Sequence, residues 1–277
     1  MKEAVLVTGA STGIGYAVST LLASEGFTVY AGVRNDADSE RLRAIAGVAP
    51  LQLDVTDAEQ IRDAAHIVRE SGAQLRGVVN NAGIAIPGPL EFLPVDELRR
   101  QFEVNFFGAI AATQAFLPML RSSKGRIVFM SSVSGQIASA FVGAYSSSKF
   151  ALEAAADALR MELRGSGVGV SVIQPGNVDT PIWNKGRGQR DTLLAQAPQV
   201  LEYYEKHLKA LTKLSESQKL SGIDPAIVAR DVLHALTSKK PRARYSVGSP
   251  AGWMRRIFTS LPEHMRDRTL MRRMGFE

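Results

Sequence analysis

Short apolar runs alternate along the chain with longer segments in which apolar residues recur at every third or fourth position. A short continuous apolar run is typical of a buried strand, and the wider spacing predicts an amphipathic helix. The predicted strands are 4–8, 28–32, 50–54, 77–80, 126–131, 169–174 and 243–247. The predicted helices are 13–25, 39–47, 57–71, 95–122, 144–165 and 224–238. This alternation predicts an α/β fold, a doubly wound parallel sheet of about seven strands with helices on both faces.

Polar and glycine positions follow the ends of several predicted strands. Gly9, Asn81, Ser132 and Pro175 each come directly after or close to such an end. In parallel sheets of this kind, ligands bind outside the carboxyl ends of the strands. We therefore expect these residues to meet in one crevice.

The first predicted strand leads into a glycine-rich turn, Thr8-Gly9-Ala10-Ser11-Thr12-Gly13-Ile14-Gly15. Glycines in such a turn let the backbone approach a pyrophosphate, and the following helix points its free N–H groups at the phosphates. An ordinary strand–helix turn needs one glycine rather than three. The turn therefore predicts a nucleotide site formed by Gly9, Ser11, Thr12, Gly13, Ile14 and Gly15.

Tyr145 and Lys149 stand four positions apart at the start of a segment with a helical pattern. Residues four apart share one helix face, so the phenol and the ammonium are expected to point the same way. The free tyrosine pKa of about 10 is too high for acid–base chemistry near neutrality. We expect Lys149 to lower the pKa of Tyr145 and to make the pair a proton-transfer device. The alternative is that the pair lies on a solvated helix face and has no catalytic role. The glycine-rich turn in the same chain favours the catalytic interpretation.

With these two motifs in this order, the chain resembles the short-chain dehydrogenase/reductase family over about residues 3–250, and in particular its NADP-type hydroxysteroid and retinol dehydrogenase-like members. The resemblance implies further cofactor contacts at three turns that follow predicted strands. The residues that match these contacts are Asp54, Val55, Asn81, Ala82, Gly83, Pro175, Gly176, Val178 and Thr180.

The same resemblance implies an NAD(P)(H)-dependent oxidoreductase that interconverts a ketone or aldehyde with an alcohol. Tyr145 would transfer the proton, Ser132 would donate a hydrogen bond to the substrate oxygen, and Lys149 would also hold the nicotinamide ribose. Asn105 would support a water that connects Lys149 to solvent. The alternative is a non-catalytic nucleotide-sensing or binding protein on the same fold, although such proteins typically lose the tyrosine or the lysine.

The end of the second predicted strand favours NADP(H) over NAD(H). NAD-specific relatives place an acidic residue there to bind the ribose hydroxyls. Here Val33 occupies that position and Arg34 follows, and an arginine fork suits a 2′-phosphate. Ser11 can add a hydrogen bond, whereas the nearby Asp36 weakens the argument. The alternative for Arg34 is an ordinary surface charge.

Residues next to the matched motifs are expected to line a mostly apolar substrate pocket, which favours a hydrophobic substrate such as a steroid, a retinoid or a keto ester. These residues are Ile86, Val133, Phe141, Val142, Ile182 and Trp183. The long stretch 181–221 contains a glycine-rich basic loop, 184–190, and a predicted helix, 198–213. Long segments beside a site often act as lids, so we expect this one to close over the substrate.

Positive charge is concentrated at the C-terminal end. Residues 239–277 hold ten Lys or Arg and three Asp or Glu, a net of +7 against +6 for the whole chain, so residues 1–238 come to −1. This argues against a nucleic-acid partner. We expect a catalytic domain at 1–249 and a basic amphipathic extension at 250–277, with helices at about 250–259 and 262–274. The extension packs on the domain, caps the substrate pocket, or makes a peripheral membrane or partner contact.

The composition excludes several other classes of protein. There is no cysteine and no apolar run long enough to span a membrane, and the four histidines show no metal-ligand spacing. We expect no signal peptide, because the first predicted strand begins at residue 4. We expect no metal, a cytoplasmic location with membrane association as an alternative, and a homodimer or homotetramer built on the long helices.

Overall fold

A computed structural model describes residues 3–182, 197–219, 222–248 and 258–276, and for 213–219 the backbone alone. Trp183, the basic loop 184–190 and residues 250–257 of the predicted extension lie outside the described residues.

Seven parallel strands form one sheet in the order β3-β2-β1-β4-β5-β6-β7. The strands are β1 Glu3–Val7, β2 Thr28–Val33, β3 Val48–Gln52, β4 Gln74–Asn80, β5 Arg126–Met130, β6 Gly169–Pro175 and β7 Arg244–Val247. The order reverses beside β1, which pairs with β2 on one side and β4 on the other. This confirms the predicted doubly wound sheet and sets the crevice at the carboxyl ends of β1 and β4.

Helices cover both faces of the sheet. They are α1 Gly13–Ser24, α2 Asp36–Arg43, α3 Ala58–Glu70, α4 Val95–Phe102, α5 Gly108–Ser123, α6 Gly143–Glu162, α7 Gln199–Lys219, α8 Pro225–Thr237 and α9 Glu263–Arg273. One buried core packs α1 and α8 against the sheet, and Val18 and Val232 belong to it. A second core on the other face holds α3, α5 and α6 through residues such as Phe116 and Leu152. The apolar stripes of these five helices therefore face the sheet, as their spacing predicts.

The predicted helix 95–122 is not continuous. A five-residue π-helical turn at Glu103–Phe107 separates α4 from α5, and Asn105 lies in the middle of that turn. Such turns are rare and frequently lie at functional sites. The hydrophobic spacing does not reveal the turn, because one extra residue in a long apolar segment scarcely changes its pattern.

Two predicted boundaries around β2 and β3 also differ from the structure. The helix predicted at 39–47 begins at Asp36 and ends at Arg43, because the Asn35 side chain accepts a hydrogen bond from the Asp38 N–H and caps the first turn. The strand predicted at 50–54 is Val48–Gln52, so Asp54 lies beyond it.

Candidate active site

The glycine-rich turn lies against two other loops, so glycine is required for close approach as well as for backbone shape. Gly9 has φ of +65°, and a Cβ there would lie 2.8 Å from the Ala82 Cα. Gly13 has φ of +55°, and its Cβ would lie 2.9 Å from Thr180 Cγ2. A side chain at either position would push the loops apart. The structure thus brings together three segments that are distant in sequence.

Hydrogen bonds from Thr8 and Asn81 hold the turn after β4 against the glycine-rich turn. The Thr8 hydroxyl accepts from the N–H groups of Asn81 at 3.0 Å and Ala82 at 2.9 Å. The Asn81 side-chain amide donates to the carbonyls of Thr8 and Gly9, both at 3.0 Å. Sequence reasoning assigned no role to Thr8, and its position before the first glycine was the only available signal.

The start of α1 has the features of an anion site. Its N-terminal residue Thr12 has an extended backbone and makes no side-chain cap bond to the first turn, where Gly13, Ile14 and Gly15 follow. Uncapped N–H groups at a helix start attract phosphate oxygens, and the helix dipole adds to the attraction. The closely packed glycine turn and this uncapped helix start therefore fit the pyrophosphate of a dinucleotide.

The other predicted cofactor residues border the same crevice. The Asp54 carboxylate accepts from the Thr56 N–H and hydroxyl, and Val55 is buried against Gly108 of α5. On the opposite side, Val178 forms an isolated bridge with Ile223. The Gly176 N–H donates to the Val247 carbonyl at 2.8 Å. The turn from Pro175 to Thr180 is thus attached to β7 and to Ile223, two residues before α8 begins.

Two arginines flank the outer side of the glycine-rich turn. Arg34 follows β2 and is exposed, and its carbonyl accepts from the Gln52 side-chain amide at 2.8 Å. Arg41 of α2 donates to the Ser11 carbonyl and pairs with the Asp38 carboxylate at 2.7 Å. Sequence reasoning identified Arg34 alone, because the helix pattern did not show that Arg41 reaches the turn.

Ser132, Tyr145 and Lys149 meet at the carboxyl end of β5. Tyr145 and Lys149 lie on the buried face of α6, and the lysine ammonium is 5.7 Å from the centre of the tyrosine ring. The Ser132 and Tyr145 hydroxyls are hydrogen-bonded. The Lys149 ammonium donates to the Met130 carbonyl at 2.8 Å. With Asn105, these residues are called the Tyr145 cluster below.

Burial governs the protonation of the Tyr145 cluster. It raises the pKa of Tyr145 above 10, and the hydrogen bond from Ser132 offsets part of that rise. The expected lowering of the Tyr145 pKa by Lys149 is therefore wrong for this structure, because loss of water around the phenol is the larger effect. Burial also lowers the pKa of Lys149 to about 8, and the negative charge of Glu153 opposes that shift.

Asn105 ties the π-helical turn to the rest of the cluster. Its side-chain oxygen accepts from the Ile84 N–H at 2.9 Å, and its amide donates to the Ile84 carbonyl at 3.0 Å. The amide also donates to the Ser148 hydroxyl at 3.0 Å, and Ser148 lies next to Lys149 on α6. A Cβ on Gly83 would lie 3.3 Å from the Asn105 oxygen and 3.8 Å from the lysine nitrogen. The π-helical turn thus joins the turn after β4 to α6.

The predicted substrate residues lie in segments beside the Tyr145 cluster. Ile86 is buried and its N–H donates to the Gln101 side chain at 2.9 Å. Val133 begins the short 3₁₀ turn after Ser132. The residues Val142 and Ile182 are half-buried, and Trp183 lies outside the described residues.

An aromatic cluster surrounds Phe141, which lies four residues before Tyr145. Phe141 has a left-handed backbone with φ of +64°, a strained conformation for a bulky residue. Its ring contacts Tyr204 and His207 of α7 and Phe276 from the C-terminal segment, at 5.3, 6.0 and 5.6 Å between ring centres. The members of this aromatic cluster are Phe92, Phe141, Tyr203, Tyr204, His207 and Phe276.

The geometry agrees with comparisons to known proteins. The family model described as short chain dehydrogenase matches residues 3–191. This chain belongs to the short-chain dehydrogenase family. It is 39% identical over 257 residues to a 3-amino-tetrahydro-pyrrolizinone reductase of Xenorhabdus hominickii, covering 90% of this chain and 88% of that protein. It is 35% identical to the mitochondrial D-beta-hydroxybutyrate dehydrogenase of Bos taurus (96% and 83% covered) and 37% identical to estradiol 17-beta-dehydrogenase 2 of Rattus norvegicus (89% and 68%).

Solved structures of the family share the fold. A short-chain dehydrogenase from Streptomyces avermitilis superposes with a TM-score of 0.77 at 27% identity, covering 99% of this chain and 97% of that one. A Burkholderia phymatum relative solved with NAD has a TM-score of 0.76 at 23% identity, covering 92% of each chain. A Burkholderia cenocepacia relative solved with NADP has a TM-score of 0.73 at 24% identity, covering 99% of each chain. Dehydrogenases of this fold thus bind either nicotinamide dinucleotide.

The described residues contain neither a cluster of metal ligands nor a membrane-spanning helix. None of their His, Cys, Asp and Glu side chains form a group of three that could hold a metal ion. Across the same parts of the chain, no helix combines the length and the apolar character needed to cross a bilayer.

Proposed function

We propose that this member of the short-chain dehydrogenase family is an NADP(H)-preferring oxidoreductase that interconverts a ketone or aldehyde with the corresponding alcohol. The observation that carries the proposal is the Tyr145 cluster, in which Ser132, Tyr145 and Lys149 meet at the carboxyl end of β5. The alternative is a non-catalytic nucleotide-sensing protein. It finds no support, because Ser132, Tyr145 and Lys149 are all present.

Each residue of the cluster has a distinct proposed task. A bound nicotinamide dinucleotide would supply or accept the hydride. Tyr145 holds the proton that is exchanged with the substrate oxygen, and its raised pKa keeps the phenol protonated, as reduction of a carbonyl requires. Ser132, already hydrogen-bonded to Tyr145, donates to the same oxygen as negative charge develops there. The two hydroxyls therefore orient the carbonyl and stabilise the transition state.

Lys149 and Asn105 are proposed to support the proton exchange at Tyr145. A protonated Lys149 next to Tyr145 stabilises the phenolate that forms when the proton leaves. Its donation to the Met130 carbonyl fixes its position, and its remaining hydrogens would bind the nicotinamide ribose and a water. Asn105 joins the turn after β4 to α6 through Ile84 and Ser148, and it would support that water.

The cofactor residues are those that surround the glycine-rich turn and the turns after β3, β4 and β6. Arg34 is proposed to bind the 2′-phosphate of NADP(H), because it is exposed, follows β2 directly and has no acidic residue in the preceding position. An Arg34→Asp variant should bind NADPH at least about tenfold more weakly and bind NADH better, as fluorescence titration would show. Unchanged NADPH affinity with no gain for NADH would refute this assignment.

The substrate is proposed to be hydrophobic. The aromatic cluster and the half-buried Val133 and Val142 offer apolar surface next to Ser132 and Tyr145. Names of the relatives include a steroid, a short hydroxy acid and a bicyclic ketone, so carbonyl compounds from steroids and retinoids to keto esters are the first class to test.

Segments outside the sheet are proposed to control access. The stretch 181–221, of which α7 is described, would act as the lid, because its Tyr204 donates to the Glu91 carboxylate at 2.7 Å and its ring contacts Phe141. The extension 250–277 would cap the pocket through Phe276, which favours packing on the domain over peripheral membrane contact.

We also propose a homodimer or homotetramer. Phe107, Phe150 and Met161, on or beside α5 and α6, expose 52, 43 and 67% of their surface, which is unusual for large apolar side chains unless a partner covers them. Light scattering that gives a stable monomer would refute the assembly. A cytoplasmic location stays a prediction.

The decisive experiment follows NADPH and NADH oxidation against steroid, retinal, keto-ester, diketone and quinone carbonyls, with the reverse reaction run on the matching alcohols. Turnover that is faster with NADPH and depends on Tyr145 would support the proposal. Tight nucleotide binding with no turnover of any carbonyl or alcohol would contradict it.

A further inference from the structure

A buried carboxylate lies one helical turn beyond Lys149 on the same face of α6. Glu153 is 6% exposed, and both of its oxygens are hydrogen-bonded. One accepts from the Gln174 amide of β6 at 2.8 Å, and the other accepts from the Arg244 guanidinium of β7 at 2.9 Å. Burying a carboxylate is costly unless the group is paired and hydrogen-bonded, and Glu153 has both an arginine partner and an amide partner.

The side chain of Glu153 packs against the turn that follows Ser132, and its carboxylate binds groups of β6 and β7. Gly135 of the turn after Ser132 lies so close that a Cβ there would be 3.1 Å from the Glu153 Cγ and 2.6 Å from the Ser131 hydroxyl. Arg244 lies on the far side and also binds the Asp157 carboxylate at 2.7 Å. Asp157 in turn pairs with Arg160 at 2.5 Å.

Lys149 is the cation one turn before Glu153 on the same buried face of α6. Its ammonium is surrounded by the Met130 carbonyl of β5, the Tyr145 phenol of α6 and the loop at Gly83. Among the charged side chains that the structure describes, Glu153 is the one whose field favours the charged form of this lysine, against the effect of burial.

We propose that Glu153 is a positioning residue of the active site, whose anchored carboxylate keeps Lys149 protonated and directed at Tyr145. The inference rests on the proposed function of Lys149. It adds that Glu153 maintains the positive charge which that function requires. Without the carboxylate, a lysine this deeply buried loses its proton near neutral pH, and the phenolate loses its supporting cation. Arg244 of β7, which holds the Glu153 carboxylate, then serves the active site as well as the fold.

The test compares Glu153→Gln with the matched control Asp157→Asn. Both changes replace a carboxylate by an amide of the same size, and both remove a partner of Arg244. They differ in that Asp157 lies one turn farther from Lys149. The dependence of kcat/KM on pH between pH 6 and 10 would be measured for a carbonyl substrate that the wild-type protein reduces, together with the pH dependence of the NADPH dissociation constant.

The fall in kcat/KM on the alkaline side should move to lower pH by about one unit in Glu153→Gln and stay in place in Asp157→Asn. At pH 6 the Glu153→Gln variant should retain wild-type kcat/KM within about twofold, because Lys149 is protonated there in either protein. NADPH binding should weaken at a correspondingly lower pH. A loss in Glu153→Gln that is equal at every pH, or a profile that superposes on the wild type, would overturn the inference.

A second variant covers the case in which Glu153→Gln does not fold. Arg244→Gln leaves the buried Glu153 carboxylate without its charged partner, and an unpaired buried carboxylate tends to be neutral, so the alkaline fall should move to lower pH as in Glu153→Gln. An alkaline fall that stays in place in a folded Arg244→Gln variant would contradict the inference. Absence of turnover in the wild-type protein would instead refute the proposed function, and the NADPH titration would still test Glu153.

Discussion

The two sides of the crevice are held by different kinds of interaction. On the side of α6, Asn105 is 1% exposed, Lys149 is 4% exposed and Tyr145 is 7% exposed, and backbone carbonyls or buried side chains bind each of them. On the side of α7, ring contacts hold Phe141 to Tyr204 and Phe276, and the neighbouring Tyr203 is 61% exposed.

This difference suggests that the α6 side serves the chemical step and the α7 side serves substrate selectivity. Buried hydrogen bonds have narrow geometric tolerances, so they suit groups that must stay within a fraction of an ångström of a reacting atom. Aromatic contacts tolerate shifts in ring position and bind apolar surface of many shapes. We therefore expect substitutions near α6 to change turnover or stability and substitutions near α7 to change the choice of substrate.

Tyr145→Phe should give the largest effect on the α6 side. Loss of the hydroxyl removes the proton donor, so kcat should fall by about a thousandfold while the NADPH dissociation constant stays within about twofold. Steady-state kinetics and fluorescence titration measure the two quantities. Tyr203→Phe, in the exposed aromatic side chain, is the control and should change neither. Retention of a tenth of the turnover in Tyr145→Phe would contradict the assignment.

Asn105→Ala should show that the α6 side depends on its buried hydrogen bonds. The change leaves the Ile84 N–H without its acceptor and the Ile84 carbonyl with the Gln101 amide as its donor, which should cost about 2–3 kcal/mol in the free energy of unfolding. Urea denaturation would measure it. Asn35→Ala, which removes only an exposed helix cap, should cost about 1 kcal/mol. Equal losses in the two variants would mean that the π-helical turn is not specially dependent on Asn105.

The protonation of Lys149 should set the pH range of activity. Since its pKa is about 8, turnover should be constant below that pH and fall by about tenfold per unit above it, as the ammonium loses its charge. A profile that is flat to pH 10 would show that the charged lysine is not needed.

Lys149 should also make stability depend on pH, and stability should rise with pH where activity falls. The folded-state pKa of Lys149 lies below the value of about 10.4 for an unfolded chain, so the folded protein binds fewer protons between the two values. Its burial therefore costs stability below pH 8, and that cost disappears as the pH rises toward 10. Lys149→Met should accordingly be inactive but more stable than the wild type at pH 7, with the difference shrinking at pH 10. A variant less stable at pH 7 would contradict the sign.

Phe276→Ala should give the smallest effect and change selectivity alone. Removing this ring opens the aromatic cluster, so KM for a bulky apolar carbonyl should rise about threefold to tenfold, with kcat/KM for a small ketone unchanged. Met265→Ala, in an exposed residue of the same C-terminal segment, is the matched control. An equal loss for both substrates would show that Phe276 supports the fold rather than the pocket.

Much of the fold followed from local patterns. Buried strands and amphipathic helices were predictable because burial on one or both faces imposes a spacing on the apolar residues. The break at Glu103–Phe107 was not, since the residues of the π-helical turn keep the helical pattern around it. The position of Asn105 in that turn depends on its bonds to Ile84 and Ser148, which are far from it in the chain.

The sequence by itself determined which chemistry the chain can carry: a glycine-rich turn after the first strand, a tyrosine and lysine on one helix face, and a serine after a strand end. It did not determine the electrostatic environment of that chemistry. Only the tertiary structure decided that burial raises the pKa of Tyr145, that Glu153 is anchored by β6 and β7, and that Phe276 reaches Phe141. Spacing along a chain fixes which residues share a face, whereas burial, charge and ring contacts depend on segments that meet only after folding.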